Sequence, residues 1–227
     1  TEMLYRFEEY YAALDGNDLT LTIDTTIQYY CERILEKGVE MFEVQDGGFA
    51  IAMDPNTGAI LAWANSPTYD LNDPWGVIDP VLAAYLETVK NDPSASEEAY
   101  QEALGQMQNY QWRNKAIVDT YEPGSTFKSM VLAAALEEGV VNESDHFYCS
   151  GSVTVADYTI RCSKREGHGG QDLATAVGNS CNPAFIAIGQ RLGAEKFYDY
   201  LENFGMIGKT GIDMQGEADN TSLVWSR

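Results

Sequence analysis

A chain of 227 residues, 44% of them hydrophobic, can bury a sizeable core as one domain or one large piece of one. Fourteen basic against 35 acidic residues give a net charge of −21, which repels nucleic acid and anionic lipid and excludes a nucleic-acid partner. No apolar run approaches the length of a bilayer span, and the chain opens on Thr1 with neither a start methionine nor a signal peptide, so any anchor or targeting segment is expected outside it.

Residues 1–16 read as a short amphipathic helix, with Leu4, Phe7, Tyr11 and Leu14 on one stripe and Asp15-Gly16 as its stop, and are expected to be the remnant of a preceding region. Leu19–Ile23 alternates as a strand, and Asp24 can cap a long helix carrying Ile27, Cys31, Ile34 and Leu35. Phe49–Met53 and Ala59–Trp63, joined by the turn Asp54–Gly58, predict a β-hairpin. Both arms are apolar on both faces, which predicts a place in mid-sheet with helices on either side. Residues 65–80 form a loop rich in Pro, Asn and Asp, and residues 81–110 are helical with a break at Asn91-Asp92-Pro93.

Tyr121–Gly139 is the stretch around which the chemistry gathers. Pro123 and Gly124 break the chain, Ser125 opens a helix, and Gly139 supplies a left-handed stop. Between Met130 and Leu136 there is no polar residue, so the helix is expected to be buried on most sides. Lys128 sits on it nonetheless, one helical turn from Ser125 on the same face. Burial favours the neutral form of a lysine, and a hydroxyl beside such an amine is an activated nucleophile with its general base. The plainer alternative makes Ser125 a helix cap.

Beyond this helix, Phe147–Cys149, Val153–Val155 and Tyr158–Cys162 suggest small strands and Gly167–Gly170 a turn. Asp172 caps a short helix, Pro183 opens a further one running to Arg191, and another spans Glu195–Phe204. Ser180-Cys181-Asn182 falls in the tight loop between two of these helices. Read as an extended tripeptide, it sends Ser180 and Asn182 to one side and Cys181 to the other. Ser180 could pass a proton between a lysine and a leaving amine, and Asn182 could hold a substrate amide; alternatively Asn182 caps the helix begun by Pro183. Strands first, helices in the middle and an antiparallel hairpin make the class α+β, with a sheet left incomplete at the C-terminus.

Six segments occur in order: Leu21–Gln28, Asp54–Ala62, Glu122–Lys128, Gly167–Gly169, Ser180–Asn182 and Thr210–Asp213. Together they resemble the transpeptidase domain of the class B penicillin-binding proteins, over about residues 17–217. The resemblance implies the penicillin-binding transpeptidase and serine β-lactamase-like fold, an antiparallel sheet flanked by helices, with residues 17–227 its amino-terminal part and 1–16 the end of a pedestal or linker. It implies that Ser125 is acylated, that Lys128 is its base, and that Ser180 and Asn182 form the second motif. The substrates implied are peptidoglycan stem peptides ending in D-Ala-D-Ala, with β-lactams as mimics. The setting implied is the extracytoplasmic face of the bacterial cell membrane, with a membrane glycosyltransferase as partner. The family's third motif, Lys-Thr-Gly, lies on a strand. Lys209-Thr210-Gly211 spells it without a strand pattern and precedes Ile212-Asp213, so the functional copy is expected beyond Arg227, and these 227 residues alone are expected to be inactive or nearly so. A serine β-lactamase or β-lactam sensor, which shares Ser-x-x-Lys, and a non-catalytic penicillin-binding scaffold are the alternatives.

Three of the four cysteines and one of the two histidines fall within a short window: Cys149, Cys162, His168 and Cys181. Cys149 and Cys162 stand at opposite ends of the expected hairpin, and Cys181 is turned away from the cleft. A subset of class B penicillin-binding proteins carries a zinc site at matching positions, so the resemblance implies a structural zinc ion held by these four residues. A Cys162–Cys181 disulfide with Cys149 free, or three buried thiols, are the competing readings.

Overall fold

Asp24 has the extended backbone of a helix cap, and its carboxylate accepts the N–H groups of Thr26 and Ile27, satisfying donors that a helix start leaves orphaned. From it runs α1 (Thr25–Met41) in the computed structural model, which describes residues 15–224. The expected helix over residues 1–16 lies almost wholly outside the described residues. Residues 17–24 form no strand: Leu19 and Leu21 are exposed, although Asp24 N–H bonds to the Leu61 carbonyl and Thr22 Oγ1 to that of Ile60.

The hairpin is present as β1 (Gly48–Met53) and β2 (Ile60–Ser66), antiparallel, with a register shift between Ala52 and Met53. Asp54 closes its turn by accepting from the Asn56 N–H. The mid-sheet expectation is corrected. Among the described residues the sheet has two strands, α1 packs against it, and Phe49, Ile51 and Met53 on one face of β1 stay exposed. α2 (Pro80–Lys90) and α3 (Glu97–Trp112) follow, capped by Asp79 and Ser96 and parted at the expected break. α4 (Lys115–Val118) is a single short turn.

The chain divides into two compact units, Thr1–Ala116 and Ile117–Arg227. In the second, a 3₁₀ turn, Gly124–Phe127, leads into α5 (Lys128–Glu137), and Gly139 takes φ +64° at its end. Met130, Val131, Ala134 and Ala135 face the core while Ala133 and Leu136 are exposed, so α5 is buried on one side only.

β3 (His146–Cys149) pairs with β6 (Gly169–Asp172), and β4 (Ser152–Val155) with β5 (Tyr158–Arg161), both antiparallel. The turn expected over Gly167–Gly170 is therefore partly strand, because Gly169 and Gly170 pair with Cys149 and Tyr148. Asp172 caps α6 (Leu173–Gly178) through the Thr175 N–H. α7 (Asn182–Leu192) opens with Pro183, and α8 (Ala194–Asn203) ends near Gly205. The core joins α5, α7 and these small strands through Ala135, Phe147, Ala176, Ala184 and Ile188, with the three clustered cysteines inside it. Among the described residues no helix is long and apolar enough to cross a membrane.

Candidate active site

Glycine at 124 permits the left-handed bend, φ +59°, that starts the 3₁₀ turn leading into α5 and sets Ser125 within that turn. Ser125 makes no capping bond there. Its Oγ instead lies 3.3 Å from Lys128 Nζ. The lysine also reaches the Ser180 carbonyl at 2.7 Å, Ser180 Oγ at 2.9 Å and Asn182 Oδ1 at 2.6 Å. All four residues assigned to catalysis from the sequence thus meet at one amine.

The route by which Ser180 and Asn182 converge differs from the extended tripeptide. Ser180 is left-handed, φ +47°, immediately after α6, and Asn182 is already the first residue of α7. The turn is held by Ser180 N–H to Val177 O and Cys181 N–H to Ala176 O. Asn182 caps nothing: its Nδ2 donates to the Arg161 carbonyl at 2.8 Å, which fixes the amide so that Oδ1 faces the lysine. Two contributors gave no sequence signal of their own. One is that carbonyl of Arg161, a backbone group. The other is the Phe185 ring, whose centroid lies 5.5 Å from Lys128 Nζ and which stands one turn along α7 from Asn182.

Partial burial holds the Lys128 amine below the ordinary lysine value, while the nearby Cys162 and Cys181 sulfurs, when ionised, pull it back up. The contacts of Nζ are also compatible with the neutral form. The Ser180 carbonyl and the Asn182 Oδ1 can only accept, and a neutral amine has two N–H groups for them and one lone pair left for a hydroxyl.

Behind the Ser180–Asn182 turn lie Cys149, Cys162, His168 and Cys181, with one ligand atom from each, all within 4.8 Å of one another. The three cysteines are buried, at 1%, 2% and 0% exposure, and none is in a disulfide. Two glycines allow the convergence. A Cβ on Gly151 (φ +96°) would collide with the Arg165 carbonyl, and one on Gly167 (φ +85°) with that of Cys149, so the chain segments bearing Cys149 and His168 meet backbone to backbone. Cys162 Sγ and His168 Nδ1 are 3.6 Å apart. Ligand atoms around a tetrahedral zinc ion stand about 3.5–3.8 Å from one another, so a small contraction of the cluster would close the site. Burial pushes the Cys181 thiol up to about 11. Burial also opposes ionisation of Cys162, but the N–H groups of Asn182 and Lys164 together with the Cys149 and Cys181 side chains outweigh it and bring it to about 7. Such N–H donors stabilise a thiolate, the form that binds a metal. The donor set and its spacing fit zinc. Cys31 stands apart from this group on α1, and His146 turns its Nδ1 to the Ser144 carbonyl.

Lys209-Thr210-Gly211 lies in irregular chain and not on a strand. Glu217 accepts the Thr210 N–H and hydroxyl, both at 2.6 Å, and the Gly211 N–H at 3.2 Å, so the segment is committed to a local turn.

Comparison with known proteins bears on the same residues. Residues 48–225 match the family model described as the penicillin binding protein transpeptidase domain. Stage V sporulation protein D of Bacillus subtilis is 40% identical over 92% of this chain and 28% of its own length. Peptidoglycan D,D-transpeptidase PbpA of Mycobacterium tuberculosis is 32% identical over 81% of this chain and 35% of its own. Among solved structures, that of penicillin-binding protein A from M. tuberculosis as an imipenem acyl-enzyme complex superposes with a TM-score of 0.63 at 26% identity, covering 87% of this chain and 42% of that one. The chain spans about a third or less of the length of these curated relatives.

Proposed function

Since the chain belongs to the penicillin-binding protein transpeptidase family, we propose that the protein carrying it is a serine-type peptidoglycan D,D-transpeptidase that is acylated at Ser125 by D-Ala-D-Ala stem peptides and by β-lactams. The observation that carries this reading is the position of Lys128 Nζ, within reach of both Ser125 Oγ and Ser180 Oγ. Names of relatives support it: PbpA is called a D,D-transpeptidase, and a structural neighbour is described as an imipenem acyl-enzyme.

In this mechanism neutral Lys128 takes the Ser125 proton as Oγ bonds to the penultimate D-Ala carbonyl carbon. The oxyanion so formed meets the Ser125 N–H at the positive end of the turn leading into α5. Collapse breaks the C–N bond, and the departing D-Ala amine receives the proton from Lys128 by way of Ser180 Oγ. An amine from a neighbouring stem peptide then attacks the acyl-serine and returns its surplus proton along the same path, which frees Ser125. Asn182 keeps Lys128 in place through Oδ1 while Arg161 O holds Nδ2.

The Cys149, Cys162, His168 and Cys181 set belongs to this reading as a structural zinc site. Four protein ligands leave no open position, so the ion would brace the turn bearing Ser180 and Asn182 without activating water. We further assign residues 17–227 to part of one transpeptidase domain, with 1–16 trailing from a pedestal, on the extracytoplasmic face of a bacterial membrane beside a glycosyltransferase partner. The large negative charge suits a soluble surface there and repels anionic lipid.

The test, made on the full-length protein that carries this chain, is a time course of labelling with a fluorescent penicillin, run alongside release of D-Ala from a stem pentapeptide. A lasting adduct together with D-Ala release is expected. An adduct that forms and is rapidly hydrolysed would make the protein a β-lactamase, a lasting adduct without D-Ala release a sensor, and no adduct a scaffold.

A further inference from the structure

β5 has a strand partner on one side only, β4, and all four of its residues are exposed. Cys162 continues their ladder by donating its N–H to the Gly151 carbonyl at 2.8 Å. In an antiparallel pair the backbone groups of every second residue turn to the partner strand, so those of Arg161 and Thr159 turn outward. Arg161 shows this directly, since its carbonyl receives Asn182 Nδ2 at 2.8 Å. Among the described residues nothing pairs with the Thr159 N–H, the Thr159 carbonyl or the Arg161 N–H. This row of free groups starts beside the catalytic amine: Lys128 Nζ lies 2.6 Å from Asn182 Oδ1 and 3.3 Å from Ser125 Oγ. Side chains alternate across a strand, which puts Arg161 on the face opposite Cys162 and on the same face as Thr159. Its guanidinium has no ion-pair partner among the described residues.

We propose that the free edge of β5 is the subsite for the arm of the stem peptide upstream of its D-Ala pair. The arm adds to β5 as an extended strand, pairing with Thr159 and the Arg161 N–H, while the Arg161 guanidinium takes a carboxylate on it. Continuity with the site selects this occupant. Two hydrogen bonds through Asn182 join the edge to the amine that serves Ser125. An extended peptide rises about 3.3–3.4 Å per residue, so the one to three residues before the scissile carbonyl are those within reach. A residue paired opposite Arg161 sets its side chain on the same face as the guanidinium. Charge agrees: with a net charge of −21 the surface as a whole repels an acidic peptide, and a free guanidinium at the edge is a local exception. This inference rests on the transpeptidase reading above and names the part of the substrate that β5 selects.

The experiment measures kcat/KM for D-Ala release by the full-length protein from synthetic peptides ending in D-Ala-D-Ala. One set grows by one residue at a time upstream of that pair. A second carries a carboxylate, a carboxamide or an ammonium group at each upstream position in turn. In the wild type kcat/KM should rise with length. At one upstream position a carboxylate should be favoured over a carboxamide by about 10–100-fold, the ordinary worth of a charge-assisted bond. Arg161→Glu should reverse that preference toward the ammonium peptide. Thr159→Pro should erase the length dependence, because proline removes an N–H that β4 does not use and is tolerated on a strand edge. The two wild-type comparisons need neither variant to fold. No gain with length, or a gain that survives Thr159→Pro, would overturn the pairing. No carboxylate preference, or one that Arg161→Glu leaves in place, would overturn the role of the guanidinium. A homodimer that Thr159→Pro splits would give the edge to a second copy and overturn the inference. Absence of D-Ala release from every peptide would end the transpeptidase reading as well, whereas the failures above leave it standing.

Discussion

At the scale of single residues, the account turns on which protonation state Lys128 holds. In the full-length protein that carries this chain, Ser125→Ala should abolish penicillin acylation, and Lys128→Met should slow it on the order of 100 to 10,000-fold, with the fold retained in both. Unchanged acylation by the Lys128 variant would remove the base from the mechanism. Because burial lowers the Lys128 value from 10.5, the productive neutral form gains as pH rises through a midpoint below that of an ordinary lysine. The acylation rate should therefore climb with pH and level off before 10.5, and Lys128→Met should flatten the climb. A rate that falls across this range would contradict a neutral amine. Ser180 offers a separate test, since its left-handed backbone costs on the order of 1–3 kcal/mol in any residue with a side chain. Ser180→Gly should be more stable than Ser180→Ala in urea unfolding, while both lose the hydroxyl and acylate slowly. Equal stability of the two would mean that the turn stores no strain.

Among the elements, those with a local signal were legible and those that depend on distant partners were not. Caps at Asp24 and Asp172, the break at Asn91–Pro93 and the Pro183 start are written in one or two residues each, and all stand as read. Leu19–Ile23 alternates like a strand but forms none, because alternation says nothing of whether a neighbouring strand is there to pair with. An extended tripeptide puts Ser180 and Asn182 on one side for the wrong backbone reason: a serine in left-handed conformation has no sequence mark comparable to glycine. The Gly167–Gly170 segment shows the converse, since its glycines suggest a turn but serve close backbone approach and strand pairing. Gly167→Ala should destabilise the second unit by more than about 1 kcal/mol, through its positive φ and the clash with the Cys149 carbonyl. It should also weaken metal uptake, as Cys149 and His168 separate. A thermal melt and elemental analysis check both, and a wild-type melt would show that the close approach is dispensable.

For the whole molecule, the candidate site unites signals far apart in the chain: the Ser125–Lys128 turn, the Ser180–Asn182 turn and the cysteine and histidine group behind it. Cys162 links them in the chain, since the carbonyl of Arg161 immediately before it receives the Asn182 amide. Zinc removal should accordingly lower the melting temperature and slow acylation together, and restoring zinc should recover both. Loss of stability with full acylation would confine the metal to the core. The most direct test of the central claim is to locate the acyl group. After reaction with a β-lactam and tryptic digestion, the adduct mass should sit in the peptide spanning residues 116–128 and, on fragmentation, at Ser125, which is its sole serine. An adduct on any other residue, or labelling that persists in Ser125→Ala, would contradict the account.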